Sequence, residues 1–369
     1  MNYFPTYLAT GKAFCNRKEE LKRVIYDLKG NTPILLISPR RYGKTSLALK
    51  AFEQIQWPFT HIDLYKVLSE EDIIHFVLSG IGQLLGKIET TPKKLLLLAK
   101  EFFGSMEIKV VLKDVGLGLE FNHKKTNSID LMIKALDKLH EIAKKHKKHV
   151  IVFLDEFQIV GEITKNSAIE AAMRESVQKA THVAYVFSGS NRHLMEQMFY
   201  DKKRPFYKLC DQIILNRINS EEYATYIQIA AKKVWGKLIS EKTLNEIFIL
   251  TECHPYYVNK LCSLVWQSEH LPNEKTVHEH WMQYALENKS VTERELELLT
   301  VNQRKLLALL AALGSTKEFY SREKLKDLNL SQSRTHRALK DLLEKDYVSK
   351  DKDGSYNILD PLMKMILSI

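Results

Sequence analysis

Uninterrupted apolar runs and amphipathic stretches alternate over roughly the first 215 residues; beyond them the apolar spacing is helical almost throughout. Ile34-Leu-Leu-Ile37, Val150-Ile-Val-Phe-Leu154 and Val183-Ala-Tyr-Val-Phe187 are too short for helices and suit strands buried on both faces. Residues 59–65 and 212–215 supply two further strand candidates. Helices are expected near 18–28, 46–52, 70–86, 93–103, 128–145 and 192–200, where apolar residues recur at helical spacing. Strands alternating with helices predict a parallel, three-layer α/β sheet. Residues 108–121 alternate and are rich in Val, Leu and Gly, which predicts a β-hairpin inserted between core elements, at about 105–125.

From 220 to about 289 the apolar positions fall three and four apart, as in a helical lid or adaptor domain. The pattern changes again near 291. Helices are expected at 302–313, closed by Gly314, at 321–328, and at 331–345, with Ser331 as N-cap. Residues 347–350 and 355–358 flank an Asp353-Gly354 turn signal. Three helices followed by a two-stranded wing predict a winged helix-turn-helix. The expected organisation is a core over 1–218, a helical domain over 219–290 and a winged helix over 291–369.

Two junctions carry chemistry. Ser38-Pro-Arg-Arg-Tyr-Gly-Lys-Thr45 lies between the first strand and a helix, the order that a phosphate-binding P-loop requires. Loop N–H groups and the positive helix N-terminus would cradle a polyphosphate, with Ser38, Pro39, Arg40, Arg41, Tyr42, Gly43, Lys44, Thr45 and Ser46 forming the cradle. Lys44 would reach the β- and γ-phosphates, and the Thr45 hydroxyl would help hold Mg²⁺. Ser38 replaces the first glycine of the motif and suits that turn if its φ is negative. The second junction is Asp155-Glu156, at the C-terminal end of the 150–154 strand, where open α/β sheets bind ligands. Asp155 would hold Mg²⁺, and Glu156 would orient or deprotonate the attacking water. The 183–187 strand ends in Ser188-Gly-Ser-Asn191. Ser190 is the favoured γ-phosphate sensor, with Asn191 and Ser188 as rivals; a helix N-cap would give the same pattern.

The net charge of +10 favours acidic partners, nucleic acid included, although lysine-rich solvated helices give the same sum. Cys15, Cys210, Cys253 and Cys262 form no Cys-x-x-Cys pair and read as reduced thiols. No apolar run approaches a membrane span, and the first residues lack a signal-peptide pattern, so a cytoplasmic setting is expected. On the third helix of the winged segment, Gln332, Ser333, Arg334, His336, Arg337 and Lys340 could face duplex DNA. Val301 to Ile369 nevertheless holds thirteen Lys/Arg and nine Asp/Glu, a net of 13 − 9 = +4, so a protein contact or a nucleotide-state clamp stays open.

Taken together, the chain resembles the archaeal-type ATPases of the P-loop NTPase superfamily, grouped in the STAND class near AAA+ origin-recognition ATPases. Pro39-Arg-Arg-Tyr-Gly-Lys-Thr-Ser46, Asp155-Glu-Phe-Gln158 and Ser188-Gly-Ser190 match the family's P-loop, Walker B and sensor segments. Phe14-Cys-Asn-Arg-Lys-Glu-Glu20 matches an upstream box, which implies that Asn16 and Arg17 lie on the adenine side. Cys253-His-Pro-Tyr-Tyr257 resembles a helical-domain motif, which implies phosphate contact through His254 and Pro255. The resemblance implies ATP/ADP as cofactor with Mg²⁺ and a sheet of order 5-1-4-3-2; slow hydrolysis is expected, since no arginine finger can be assigned. Arg192, Arg204 and Arg217 are candidate arginine fingers, acting in cis or across a subunit interface. Either the nucleotide state controls DNA binding, or the chain is a signalling or defence switch with a protein effector and nucleotide-dependent self-association.

Overall fold

The computed structural model describes residues 3–89, 91–104, 108–113, 116–121, 128–164, 166–317, 331–351 and 353–369. The chain divides into two compact units. One comprises Arg17–Arg40 and Lys44–Leu215; the other comprises Met1–Asn16, Arg41–Gly43 and Asn216–Ile369.

The first unit is built on five parallel strands: β1 (Ile34–Ile37), β2 (Phe59–Asp63), β3 (Val150–Asp155), β4 (Val183–Gly189) and β5 (Asp211–Ile214). Their order is β2-β3-β4-β1-β5, as the resemblance implied. β1 pairs with both β4 and β5, with Leu36 opposite Ser188 and Ile213. β3 pairs with β2, bringing Asp63 opposite Asp155. Every residue of β1, β3 and β4 is buried, whereas the edge strand β2 alternates. That contrast is why the central strands read as continuous apolar runs. Phe153, Phe157, Phe187, Phe199 and Phe206 are among the largest fully buried side chains. The aromatic cluster beside the ends of β3 and β4 is tight, with Phe157 and Phe187 ring centroids 4.8 Å apart.

Two helices, Gln158–Ile163 and Ala168–Lys179, lie between β3 and β4 in sequence and add to those expected from apolar spacing. The expected hairpin is present, with Ile108–Lys113 antiparallel to Gly116–Phe121.

Among the described residues the second unit is mainly helical from Ser220 to Leu313, ahead of its final hairpin. Phe4 packs edge-on against Trp266, with centroids 4.6 Å apart, so the N-terminal residues group here rather than with the sheet they precede. Helix Glu274–Glu297 runs unbroken through the expected boundary at 290. Helix Val301–Leu313 starts at a Thr300/Gln303 capping box and ends at Gly314. Ser331 caps Gln332–Glu344 as expected, and Val348–Lys350 pairs antiparallel with Tyr356–Ile358. The expected helix at 321–328 lies outside the described residues. A last helix, Pro361–Ser368, inserts Leu362 and Ile366 into the core of the helical segment and Met363 into that of the winged segment.

Candidate nucleotide site

The turn between β1 and helix Lys44–Ile55 needs two left-handed residues, Arg41 (φ 67°) and Gly43 (φ 89°). An added Cβ on Gly43 would meet nothing within 4 Å, so the glycine answers a backbone demand rather than a steric one. Ser38, in place of the usual first glycine, is buried and keeps out of the left-handed region, as its substitution requires. The helix opens at Lys44, and its first-turn N–H groups, which lack intrahelical acceptors, make an end suited to an anion. The Lys44 side chain is 6% exposed and donates to the Ser38 carbonyl at 3.0 Å and the Pro39 carbonyl at 3.3 Å. Ser46 is buried one residue beyond Thr45.

Asp155 ends β3, and three side chains converge on it. The Thr45 hydroxyl donates to Oδ2 at 2.8 Å, His61 Nε2 lies 3.1 Å from the same oxygen, and the Ser188 hydroxyl donates to Oδ1. Burial alone would raise this carboxyl's pKa; the hydrogen bonds from His61, Ser188 and Thr45 outweigh it and hold the group below its ordinary value. His61 stacks on Phe153, with centroids 4.7 Å apart and planes inclined by 15°. Nothing in the motifs pointed to His61; its trace in the sequence is a polar position in the alternating strand beside β3.

Glu156 adopts φ +53°, an uncommon conformation for a residue with a side chain, costing roughly 1–2 kcal/mol. Its N–H donates to Asp155 Oδ1 at 3.1 Å, and the next N–H, from Phe157, donates to the Ser188 carbonyl at 2.8 Å. The turn is thereby tied to β4. Ser190 donates its hydroxyl proton to Glu156 Oε2 at 2.6 Å. Asn191 caps helix Arg192–Tyr200 by accepting from the Leu194 N–H at 3.1 Å, the alternative that the sequence left open. Of the three rivals, therefore, Ser190 touches Glu156, Ser188 touches Asp155, and Asn191 serves the helix.

The remaining expected residues fall elsewhere. Asn16 and Arg17 are both left-handed, at φ 47° and 54°. Arg17 is buried and ion-paired with Glu20 at 3.0 Å. In the second unit, the Arg41 guanidinium sits 4.1 Å from the Tyr256 ring centroid, and Tyr42 packs edge-on against His254 at 4.7 Å. Pro255 opens a helix whose N-cap is His254 Nδ1, accepting from the Tyr256 N–H at 3.2 Å. Burial, with Arg217 and Arg41 nearby, pushes the His254 pKa down to about 3. Of the candidate fingers, Arg204 pairs with fully buried Glu170, and Arg217 pairs with Glu252 while also donating to the Leu359 carbonyl at 3.0 Å. Arg192 is the first residue of its helix. Gln332, Ser333, Arg334, His336, Arg337 and Lys340 are all exposed, while Thr335, Ala338, Leu339 and Leu342 of the same helix are buried.

The family match agrees with this geometry. The chain belongs to the family described as an ATPase domain predominantly from Archaea, whose model matches residues 14–261. A probable winged helix domain matches residues 291–368. The chain is thus an ATPase with a C-terminal winged helix. Its fold is similar to that of the Walker-type ATPase PabY2304 of Pyrococcus abyssi, at 18% identity and a TM-score of 0.72 over 100% of both chains. It is also similar to the ORC2 protein of Aeropyrum pernix in its ADPNP–ADP complexes, at 13% identity and a TM-score of 0.58 over 99% of this chain and 96% of that one. The ADP form of the same protein gives 14% identity and a TM-score of 0.54, over 99% and 97%. No curated protein matches the chain. No helix among the described residues is long and apolar enough to cross a membrane.

Proposed function

We propose that the chain binds ATP with Mg²⁺ between the Lys44 loop and the end of β3, hydrolyses it slowly, and uses the nucleotide state to control DNA binding through its winged helix. The observation that carries the chemistry is the 2.8 Å contact between Thr45 and Asp155, two residues from separate motifs. Hard oxygen donors suit Mg²⁺, which is commonly held by one carboxylate and one hydroxyl together with substrate phosphates. Thr45 and Asp155 would hold the ion, and it would supply charge neutralisation on the phosphates. Among the described residues no group of three His, Cys, Asp or Glu could hold a metal by itself, which fits an ion shared with a nucleotide. Lys44 binds the phosphates, Glu156 orients water in line with the leaving oxygen, and Ser190 fixes Glu156. Asn16 and Arg17 would serve the adenine side.

Exposure of Gln332, Ser333, Arg334, His336, Arg337 and Lys340 on helix Gln332–Glu344 supports duplex DNA as the partner. A second reading rests on a different contact. Leu359 and Lys364, at the end of the winged segment, bind the Arg217–Glu252 pair, and Arg217 Nε lies 3.5 Å from the Tyr42 hydroxyl. That favours a nucleotide-state clamp read by a protein effector or by a second copy of the chain. The working division of the switch is core 1–218, helical lid 219–290 and winged helix 291–369, in a cytoplasmic setting.

The test is particle size and ATP hydrolysis, with Mg²⁺ or chelator, with and without duplex DNA, for the native chain and for Lys44→Ala. Hydrolysis and nucleotide binding unchanged in Lys44→Ala overturn the site. DNA binding that is absent with and without ATP, or independent of salt, overturns the DNA reading and leaves the clamp.

A further inference from the structure

Gln158 follows Glu156 by two residues. It is 2% exposed at the first residue of helix Gln158–Ile163, a place where a buried carboxamide needs partners. Its Nε2 donates to Glu156 Oε2 at 2.5 Å and approaches Ser190 Oγ at 3.4 Å, while its Oε1 accepts from the Ser190 N–H at 3.3 Å. The carboxamide therefore bridges the Walker B turn and the end of β4. Gly189 makes room for it. A Cβ there would lie 2.7 Å from Gln158 Oε1 and 2.5 Å from Met195 Cγ.

Among the described residues two side-chain donors, Gln158 Nε2 and Ser190 Oγ, go to the same carboxylate oxygen of Glu156. The left-handed backbone at Glu156 does not by itself aim the side chain, so these two hydrogen bonds fix its direction. Oε1 is left as the acceptor for a water proton. The geometry points to Gln158 as a positioning residue for hydrolysis: its carboxamide holds Glu156 by Oε2 so that Oε1 faces the attacking water. The inference rests on the proposed role of Glu156 and adds the residue that orients it. A misplaced base costs rate without costing ground-state binding, because the contact matters only where the water is activated.

The test measures kcat and KM for ATP, with nucleotide affinity measured separately at equilibrium, in the full chain and in Gln158→Leu, Gln158→Glu, Ser190→Ala, Glu156→Gln and the Glu156→Gln/Gln158→Leu double variant. Gln158→Leu is expected to lower kcat by about 10- to 100-fold while nucleotide affinity stays within about twofold. Ser190→Ala should show the same split more weakly. In the Glu156→Gln background, Gln158→Leu should change hydrolysis no further, a result that loss of packing alone would not give. Gln158→Glu keeps the shape but places a carboxylate against Glu156, and it supplies the answer if the leucine variant does not fold. Native kcat in a folded Gln158 variant, or a loss of affinity matching the loss of rate, overturns the inference. Glu156→Gln hydrolysing at the native rate instead overturns the role of Glu156, which makes the two failures distinguishable.

Discussion

The ends of β3 and β4 and the outward face of helix Gln332–Glu344 are both rich in polar side chains, but their surroundings are opposite. Asp155, Gln158, Ser188 and Ser190 are buried, and each is hydrogen-bonded to another member of the group or to Glu156. Gln332, Ser333, Arg334, His336 and Arg337 are exposed, as is Lys340, which pairs with Glu344 at 3.6 Å. A buried polar group without a partner costs about 1–3 kcal/mol, so each member of the first set is fixed by its neighbours. An exposed side chain bears no such constraint. The buried set is a fixed hydrogen-bonded network; the exposed set is a solvent-facing helix surface carrying Arg334, Arg337 and Lys340.

Glu156→Gln breaks the comparison most sharply. Hydrolysis should fall by about 100-fold or more while nucleotide binding persists, as read by single-turnover phosphate release and equilibrium titration. On the exposed side, Arg334→Ala combined with Arg337→Ala should weaken duplex DNA binding about tenfold or more and flatten its salt dependence, with basal ATP hydrolysis unchanged; anisotropy over a salt series checks it. His254 extends the contrast to pH. Its folded-state pKa, about 3, lies below the ordinary value near 6.5, so the unfolded chain takes up the proton first as pH falls. The stability it contributes is whole above about pH 6.5 and is lost progressively towards pH 3. Between pH 7 and 5 the native chain should lose about 1–2 kcal/mol more than His254→Asn, which can still cap its helix; urea midpoints at the two pH values measure the difference. The smallest effect belongs to the exposed face: Ser333→Ala should move the unfolding midpoint by less than about 0.5 kcal/mol.

Legibility of the site followed sequence distance. The P-loop could be read directly because its strand, turn and helix are contiguous, and Asp155-Glu156 because the acids end an apolar run. Gln158 lies inside the Asp155-Glu-Phe-Gln158 motif, yet spacing gives it no role: its bond to Glu156 spans two positions, but the Ser190 that completes the bridge is 32 away. His61 is silent for the same reason: it meets Asp155 across 94 positions, on an edge strand whose alternation makes it look like any solvent-facing polar residue. Asn191 was ambiguous by nature, because one Ser-Gly-Ser-Asn string serves a sensor and a helix cap equally well, and only the bond to the Leu194 N–H separates them.

The sequence by itself determined the alternation of strand and helix, the phosphate loop, the acidic strand end and the wing, because each depends on residues within a few positions of one another. Tertiary structure alone decided that Thr45 meets Asp155 across 110 positions, that Ser190 meets Glu156 across 34, and that Phe4 packs against Trp266 of the helical unit. Those outcomes depend on which strands become neighbours and which polar groups must share buried space, a condition that burial imposes and no local pattern records.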